Sequence, residues 1–207
     1  MIKETLIDSD HVGHEAGICI YNKKTGLALL RIPKNGSSTL HYHTVHTDPD
    51  TWEQISFLKE NITPKKICIV LRDPVERFIS AMNYMLKLEG FPTHKSNFIT
   101  FQPIDKWQST FFAITNDAHF KPQLAYFYWL EELKIPTEFF YLKPGLINDL
   151  NNHYDEINWP SDPHNTRGWA RIVKADNEQI IKSAFKADYD LINSVKFVNH
   201  VFTEPLN

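Results

Sequence analysis

Several signals that would assign this protein to a class are missing. There are only two cysteines in 207 residues, Cys19 and Cys68, and both lie in apolar, strand-like runs. Such a pair suits buried free thiols better than a disulfide or a metal pair. No stretch reaches the roughly 18 apolar residues of a membrane span. The polar start MIKETLIDSDHVGHE reads as no secretory signal. A formal net charge of −3, with 10 histidines, argues against a general nucleic-acid binder, which is normally basic overall. Internal repeats, low-complexity tracts and linkers are absent, so one domain over residues 1–207 is expected. The hydrophobic share of 42% and the charged share of 23% are ordinary for a globular chain of this length. The expected setting is cytoplasmic, unless the chain is an excised lumenal domain.

The positive signals come in order along the chain. GICIYNKKTGLALLRI reads as a hairpin with its turn at Lys24, Thr25 and Gly26. A helix is expected from about Ser37. KKICIVL, residues 65–71, is a continuous apolar run of the kind that becomes a buried strand. Asp73, Pro74 and Glu76 then mark a helix start: a cap, a proline in the first turn and a glutamate at the third position. Val75, Phe78, Ile79, Met82, Met85 and Leu86 continue that helix as one apolar stripe. Residues 90–103 read as an irregular loop, and KPQLAYFYWLEELKI, residues 121–135, as a mostly buried helix with Pro122 in its first turn. TEFFYLK reads as a strand, GLINDLNNHY as a short helix, WPSDPHNTRGW as a loop, and residues 177–195 as two closing helices. Strands separated by helices predict an α/β fold with parallel strands, whose ligands bind beyond the strands' carboxyl ends.

Two segments fall at that edge. In RIPKNGSSTLHYH, residues 31–43, a lysine, a glycine and three hydroxyl side chains precede a helix. The helix start supplies unpaired N–H groups, Gly36 permits close approach, Ser37, Ser38 and Thr39 add donors, and Lys34 adds a charge. The order is not that of the ATP-binding loop, in which lysine follows the second glycine and a hydroxyl holds magnesium. A serine-capped turn would explain the segment without any ligand. In IVLRDPVERFIS, Arg72 leaves the strand as the next helix begins, and its fork can give a phosphate two parallel hydrogen bonds. An ion pair with a nearby carboxylate is the alternative for Arg72. Arg77 reads as structural, with Asp73 four residues earlier on its helix face.

The pair PKNGSSTL and RDPVERFISA, about forty residues apart and with eight residues from Arg72 to Ser80, resembles the sulfotransferases that use 3′-phosphoadenosine 5′-phosphosulfate. DAHFKPQ, residues 117–123, is similar to the His-aromatic-x-Pro-Gln element of the Golgi carbohydrate sulfotransferases of chondroitin and heparan type. KADYDLI, residues 186–192, is similar to their closing helix, so the matches span roughly residues 27–193. The resemblance implies a P-loop-like three-layer fold around a mainly parallel sheet. It implies that Lys34, Asn35, Gly36, Ser37, Ser38 and Thr39 hold the 5′-phosphosulfate of the donor, while Arg72 and Ser80 hold the 3′-phosphate. Arg167, in PHNTRG, is expected to close over the nucleotide. The implied reaction is in-line transfer of a sulfuryl group to a hydroxyl, with Lys34 stabilising the leaving oxygen and no metal expected.

An alcohol acceptor needs a base, and His119 is the first candidate, ahead of His41 and His43. Residues 41 and 43 point about 200° apart on a helix, so the two histidines cannot share one site. Heparan 3-O-type relatives carry a glutamate near this position, where this chain has Tyr42. Asp117 and Glu76 are further candidates, although the helix cap accounts for Glu76. Lys121 is read as a solvated lysine or a contact for an anionic acceptor, and Gln123 as hydrogen-bonding support. Trp107, Phe111, Phe112, Tyr126 and Trp129 are core residues or stacking surfaces. The chain is short beside the Golgi enzymes and lacks their anchor and cysteine pattern, which points to a bacterial or viral member. The expected acceptor is a carbohydrate or a glycosylated small molecule, with a lipid head group or a metabolite also open. A nucleotide or small-molecule kinase, and a catalytically silent nucleotide-binding module, are the competing readings.

Overall fold

The structure, a computed structural model, describes residues 18–56, 62–88, 119–127, 130, 134–155, 157–160 and 175–206. Strand β1 (Ile18–Asn22) turns back into β2 (Leu27–Leu30) as an antiparallel hairpin, with Cys19 opposite Leu30 and Tyr21 opposite Ala28. Asn22 makes the turn: its Oδ1 accepts the N–H groups of Lys24 and Thr25 at 2.9 and 3.0 Å. Gly26 closes it at φ 81°, where a side chain would meet Lys65 at 2.9 Å.

Strand β3 (Trp52–Ser56) pairs antiparallel with the other edge of β1. Strand β4 (Lys66–Leu71) lies parallel to β2, and β5 (Thr137–Tyr141) parallel to β4. The sheet therefore runs β3-β1-β2-β4-β5. This corrects the expectation of a mainly parallel sheet: the fold is α/β, but its sheet is mixed. The one reversed strand is β1, which pairs antiparallel with both β2 and the edge strand β3; the sequence of β3, TWEQIS, carries Glu53 and Gln54 and so no continuous apolar run.

Period-two alternation divides the strand side chains between two cores. Leu27, Leu29, Cys68, Val70 and Phe140 face helix α3 (Leu146–His153) and Trp159. Ala28, Leu30, Ile67, Ile69 and Leu71 face Tyr126, Phe127 and helix α5 (Lys186–Ser194). Helix α4 (Ala175–Ala184) joins helix α2 (Pro74–Leu88) in a third cluster through Ile181, Val75, Phe78 and Ile79. Both cysteines are buried and free, as expected, and burial pushes the Cys68 thiol up to about 12. Among the described residues no helix is long and apolar enough to cross a membrane.

The segment after β2 forms helix α1 (Ser37–His41) and continues as one π-helical stretch, Tyr42–His46. The predicted start of α2 is present, with Asp73 Oδ1 accepting the Glu76 N–H at 2.9 Å. The helix expected over residues 121–135 does not form at its start, residue 130 is helical, and residues 128–129 and 131–133 lie outside the described residues. Pro122 is extended (ψ 143°), Gln123–Tyr126 is a single 3₁₀ turn, and Phe127 leaves helical geometry at φ −143°. The N–H groups of Gln123 and Leu124 point to the Asp188 carboxylate on α5, at 2.7 and 3.4 Å, a partner far along the chain that fixes where this turn sits. The expected loop over residues 90–103 lies outside the described residues.

Candidate functional site

The two loops predicted to hold anions leave the carboxyl ends of β2 and β4, which are parallel neighbours, so they emerge side by side. In the first loop, Lys34 has φ 69° and Gly36 φ 79°. Glycine tolerates this region, whereas lysine pays roughly 1–2 kcal/mol to occupy it. The second loop and its helix hold the lysine there. Arg77 Nε donates to the Pro33 carbonyl at 3.1 Å, and Arg72 Nη1 donates to the Lys34 carbonyl at 3.0 Å. Asn35 Nδ2 donates to the Val70 carbonyl at 2.8 Å and to Gln123 Oε1.

Arg77 is 1% exposed, and its Nη1 also donates to the Lys121 carbonyl at 2.6 Å. Its structural role is as expected, but its partners are loop carbonyls and not Asp73. Arg72 Nη2 lies 3.5 Å from Glu76 Oε2, and Tyr141 from β5 completes this side. The Tyr141 phenol is pushed up to about 12, by burial first and then by Asp73 and Glu76, so it stays neutral.

A cavity of about 230 Å³ opens beside the first loop, lined by Ile18, Arg31, Pro33, Lys34, Ser37, Ser38 and His119. Among the described residues, its polar lining combines basic and hydroxyl side chains without a carboxylate. Burial, then Arg72, then Arg77 lower the Lys34 ammonium from its ordinary value near 10.5 to about 8. An anion entering the cavity would meet Lys34, Ser37 and Ser38.

The cavity brings together Lys34, Ser37, Ser38 and His119 from the sequence-derived set. Thr39 and Ser80 are half-buried on α1 and α2 and do not line it. Gly36 supplies the left-handed turn ahead of α1. Asn35 is 2% exposed, with its N–H bound to the Ile32 carbonyl at 3.1 Å, so it braces the loop from inside and offers no donor to a ligand. Arg72 touches the loop through the Lys34 carbonyl, outside the cavity lining.

Of the described histidines, only His119 lines the cavity. His43 is 4% exposed and stacks on Trp159 with ring centres 5.8 Å apart, which makes it a core residue. His41 is half-buried on α1, and burial, Arg31 and His46 lower its pKa, which favours the neutral ring. Lys121 enters through its backbone carbonyl. Tyr126 is buried against the Arg77 guanidinium, 5.9 Å from its ring centre. Asp117, Arg167, Trp107, Phe111, Phe112 and Trp129 lie outside the described residues.

Sequence reasoning missed Arg31 and Asp188. Arg31 stands three residues before Lys34, at the end of β2, and its Nη1 donates to Gln54 Oε1. Its place at a strand's carboxyl end was a usable signal. Asp188 is 0% exposed, lies 65 residues from its partner Gln123, and gives no local sign of its role. Comparisons with protein-family models, with curated proteins and with solved structures find no match to the chain.

Proposed function

We propose that this protein is a sulfotransferase that moves a sulfuryl group from 3′-phosphoadenosine 5′-phosphosulfate to a hydroxyl, expected to be on a carbohydrate or glycosylated small molecule. One observation carries the reading. Lys34 and Arg72, from separate crossovers of neighbouring parallel strands, meet through a 3.0 Å hydrogen bond beside a cavity that also holds two serines and a histidine. The order and spacing of the motifs support the same reading, as do the basic and hydroxyl side chains of the described cavity lining. A P-loop-like three-layer arrangement and a cytoplasmic setting belong to this proposal, the latter in keeping with two free thiols.

In this reading Lys34, Ser37 and Ser38 bind the phosphosulfate and Arg72 turns toward the 3′-phosphate. His119 takes the proton from the acceptor hydroxyl as that oxygen bonds to sulfur. The bond from sulfur to the phosphate oxygen breaks in the same step, and Lys34 stabilises the charge left on adenosine 3′,5′-bisphosphate. A sulfuryl group carries less charge than a phosphoryl group, so a lysine in a partly desolvated cavity is adequate without a second cation.

The test is thermal shift with adenosine 3′,5′-bisphosphate against ATP with magnesium, followed by transfer assays over a panel of hydroxyl acceptors. At 100 times Kd a ligand adds about 2.7 kcal/mol, roughly 5–10 °C for a chain of this size. A shift with ATP–magnesium alone would favour the kinase. Bisphosphate binding without transfer to any acceptor would favour the silent module.

A further inference from the structure

The donor-site reading leaves unexplained what fixes the distance between its two anchors. Gln123 is 0% exposed and bonds to Arg72 and to Asn35, the chain neighbour of Lys34. Its Oε1 accepts the Arg72 N–H at 2.9 Å and its Nε2 donates to the Arg72 carbonyl at 2.8 Å, so the amide pairs with that backbone as a neighbouring strand would. The same Oε1 accepts Asn35 Nδ2 from the Lys34 loop. On its far side, Gln123 is gripped by Asp188. The carboxylate takes the Gln123 backbone N–H at 2.7 Å through Oδ1 and faces Nε2 at 3.4 Å through Oδ2. One side chain thus spans the loop after β2, the end of β4 and helix α5.

We infer that Gln123 is a positioning residue that sets the separation of Lys34 and Arg72 for a ligand with two phosphate groups, and that Asp188 fixes the orientation of its amide. The inference rests on the donor-site reading and adds to it a residue that touches neither substrate. The amide is suited to the task because it carries a donor and an acceptor on one rigid plane. Glutamate keeps the shape but ionises, placing a second acceptor against the Arg72 carbonyl and the Asp188 carboxylate. Asparagine at residue 188 keeps Oδ1 for the two N–H groups but turns an NH₂ toward Gln123 Nε2.

The experiment compares calorimetric binding of adenosine 3′,5′-bisphosphate and adenosine 5′-monophosphate to the wild type, Gln123→Glu and Asp188→Asn. The ratio of the two affinities reports how well both phosphates are held at once, and a general loss of stability lowers both affinities without changing it. The wild type is expected to prefer the bisphosphate by about tenfold or more. In both variants the ratio is expected to fall to within roughly threefold of one, chiefly through the bisphosphate. A wild type that binds the two nucleotides equally sinks the donor-site reading itself. Wild-type discrimination retained by a folded Gln123→Glu protein, or by a folded Asp188→Asn protein if the first does not fold, overturns this inference alone. Failure of both variants to fold also overturns it, because the network would then serve folding and not the spacing of the anchors.

Discussion

On the proposed reading, the lowered pKa of Lys34 should make binding of adenosine 3′,5′-bisphosphate depend on pH in a range where few other groups change charge. Burial and two neighbouring arginines bring the ammonium to about 8. A bound phosphate reverses that pressure, since an opposite charge within about 4–6 Å favours the charged form. The ligand therefore selects the protonated lysine. In the free protein about nine molecules in ten carry it at pH 7, about half at pH 8 and about one in ten at pH 9. Affinity should be nearly flat below pH 7 and weaken toward tenfold per pH unit above 8. Calorimetry at pH 8 in buffers of different ionisation enthalpy should find about half a proton taken up per ligand. The phosphates add little to the slope, because their second ionisation lies near 6. Folding without ligand has the opposite sign. The unfolded chain keeps the Lys34 proton to about 10.5 and the folded chain releases it from about 8, so stability rises with pH between those values. Lys34→Ala should abolish both slopes. Wild-type affinity unchanged from pH 7 to pH 9.5, with no proton uptake, would refute this account of the lysine.

Lys34→Ala should also reduce transfer by roughly 10²-fold or more while the protein stays folded, and steady-state rates on any accepted hydroxyl check this. Arg72→Ala removes the donor to the Lys34 carbonyl, and calorimetry should find bisphosphate binding weaker by roughly ten- to a hundredfold. His119→Ala should lower the rate by about 10²–10⁴-fold with bisphosphate affinity kept; an unchanged rate hands the proton to His41, Asp117 or Glu76. Arg77→Met strands the carbonyls of Pro33 and Lys121 at roughly 1–3 kcal/mol each, which urea midpoints will register as a large loss of stability.

What could be read from the sequence was what is local. The hairpin follows from Asn22 and Gly26, the buried strand from a run of apolar residues, and the α2 start from Asp73, whose carboxylate bonds a neighbour three residues on. The motif order placed Lys34 and Arg72 at neighbouring strand ends because each motif follows its strand directly. The misreadings involve partners far along the chain. Gln123 begins a 3₁₀ turn docked on Asp188, 65 residues away, and β3 is a strand because β1 offers it an edge. His43 looked available until Trp159 took the face of its ring. Periodicity describes a segment's own preference and is blind to a carboxylate dozens of residues away.

The left-handed backbone at Lys34 has a consequence for how fast a ligand can be captured. A residue in that conformation, tied down at both adjoining carbonyls, has already given up its conformational freedom, an amount worth about 1–2 kcal/mol per residue in a floppy loop. On the proposed reading, an incoming phosphosulfate would find the Lys34 loop already shaped, and only the Arg72 side chain would have to turn. Its association rate should then follow ionic strength and solvent viscosity, the marks of an encounter limited by diffusion.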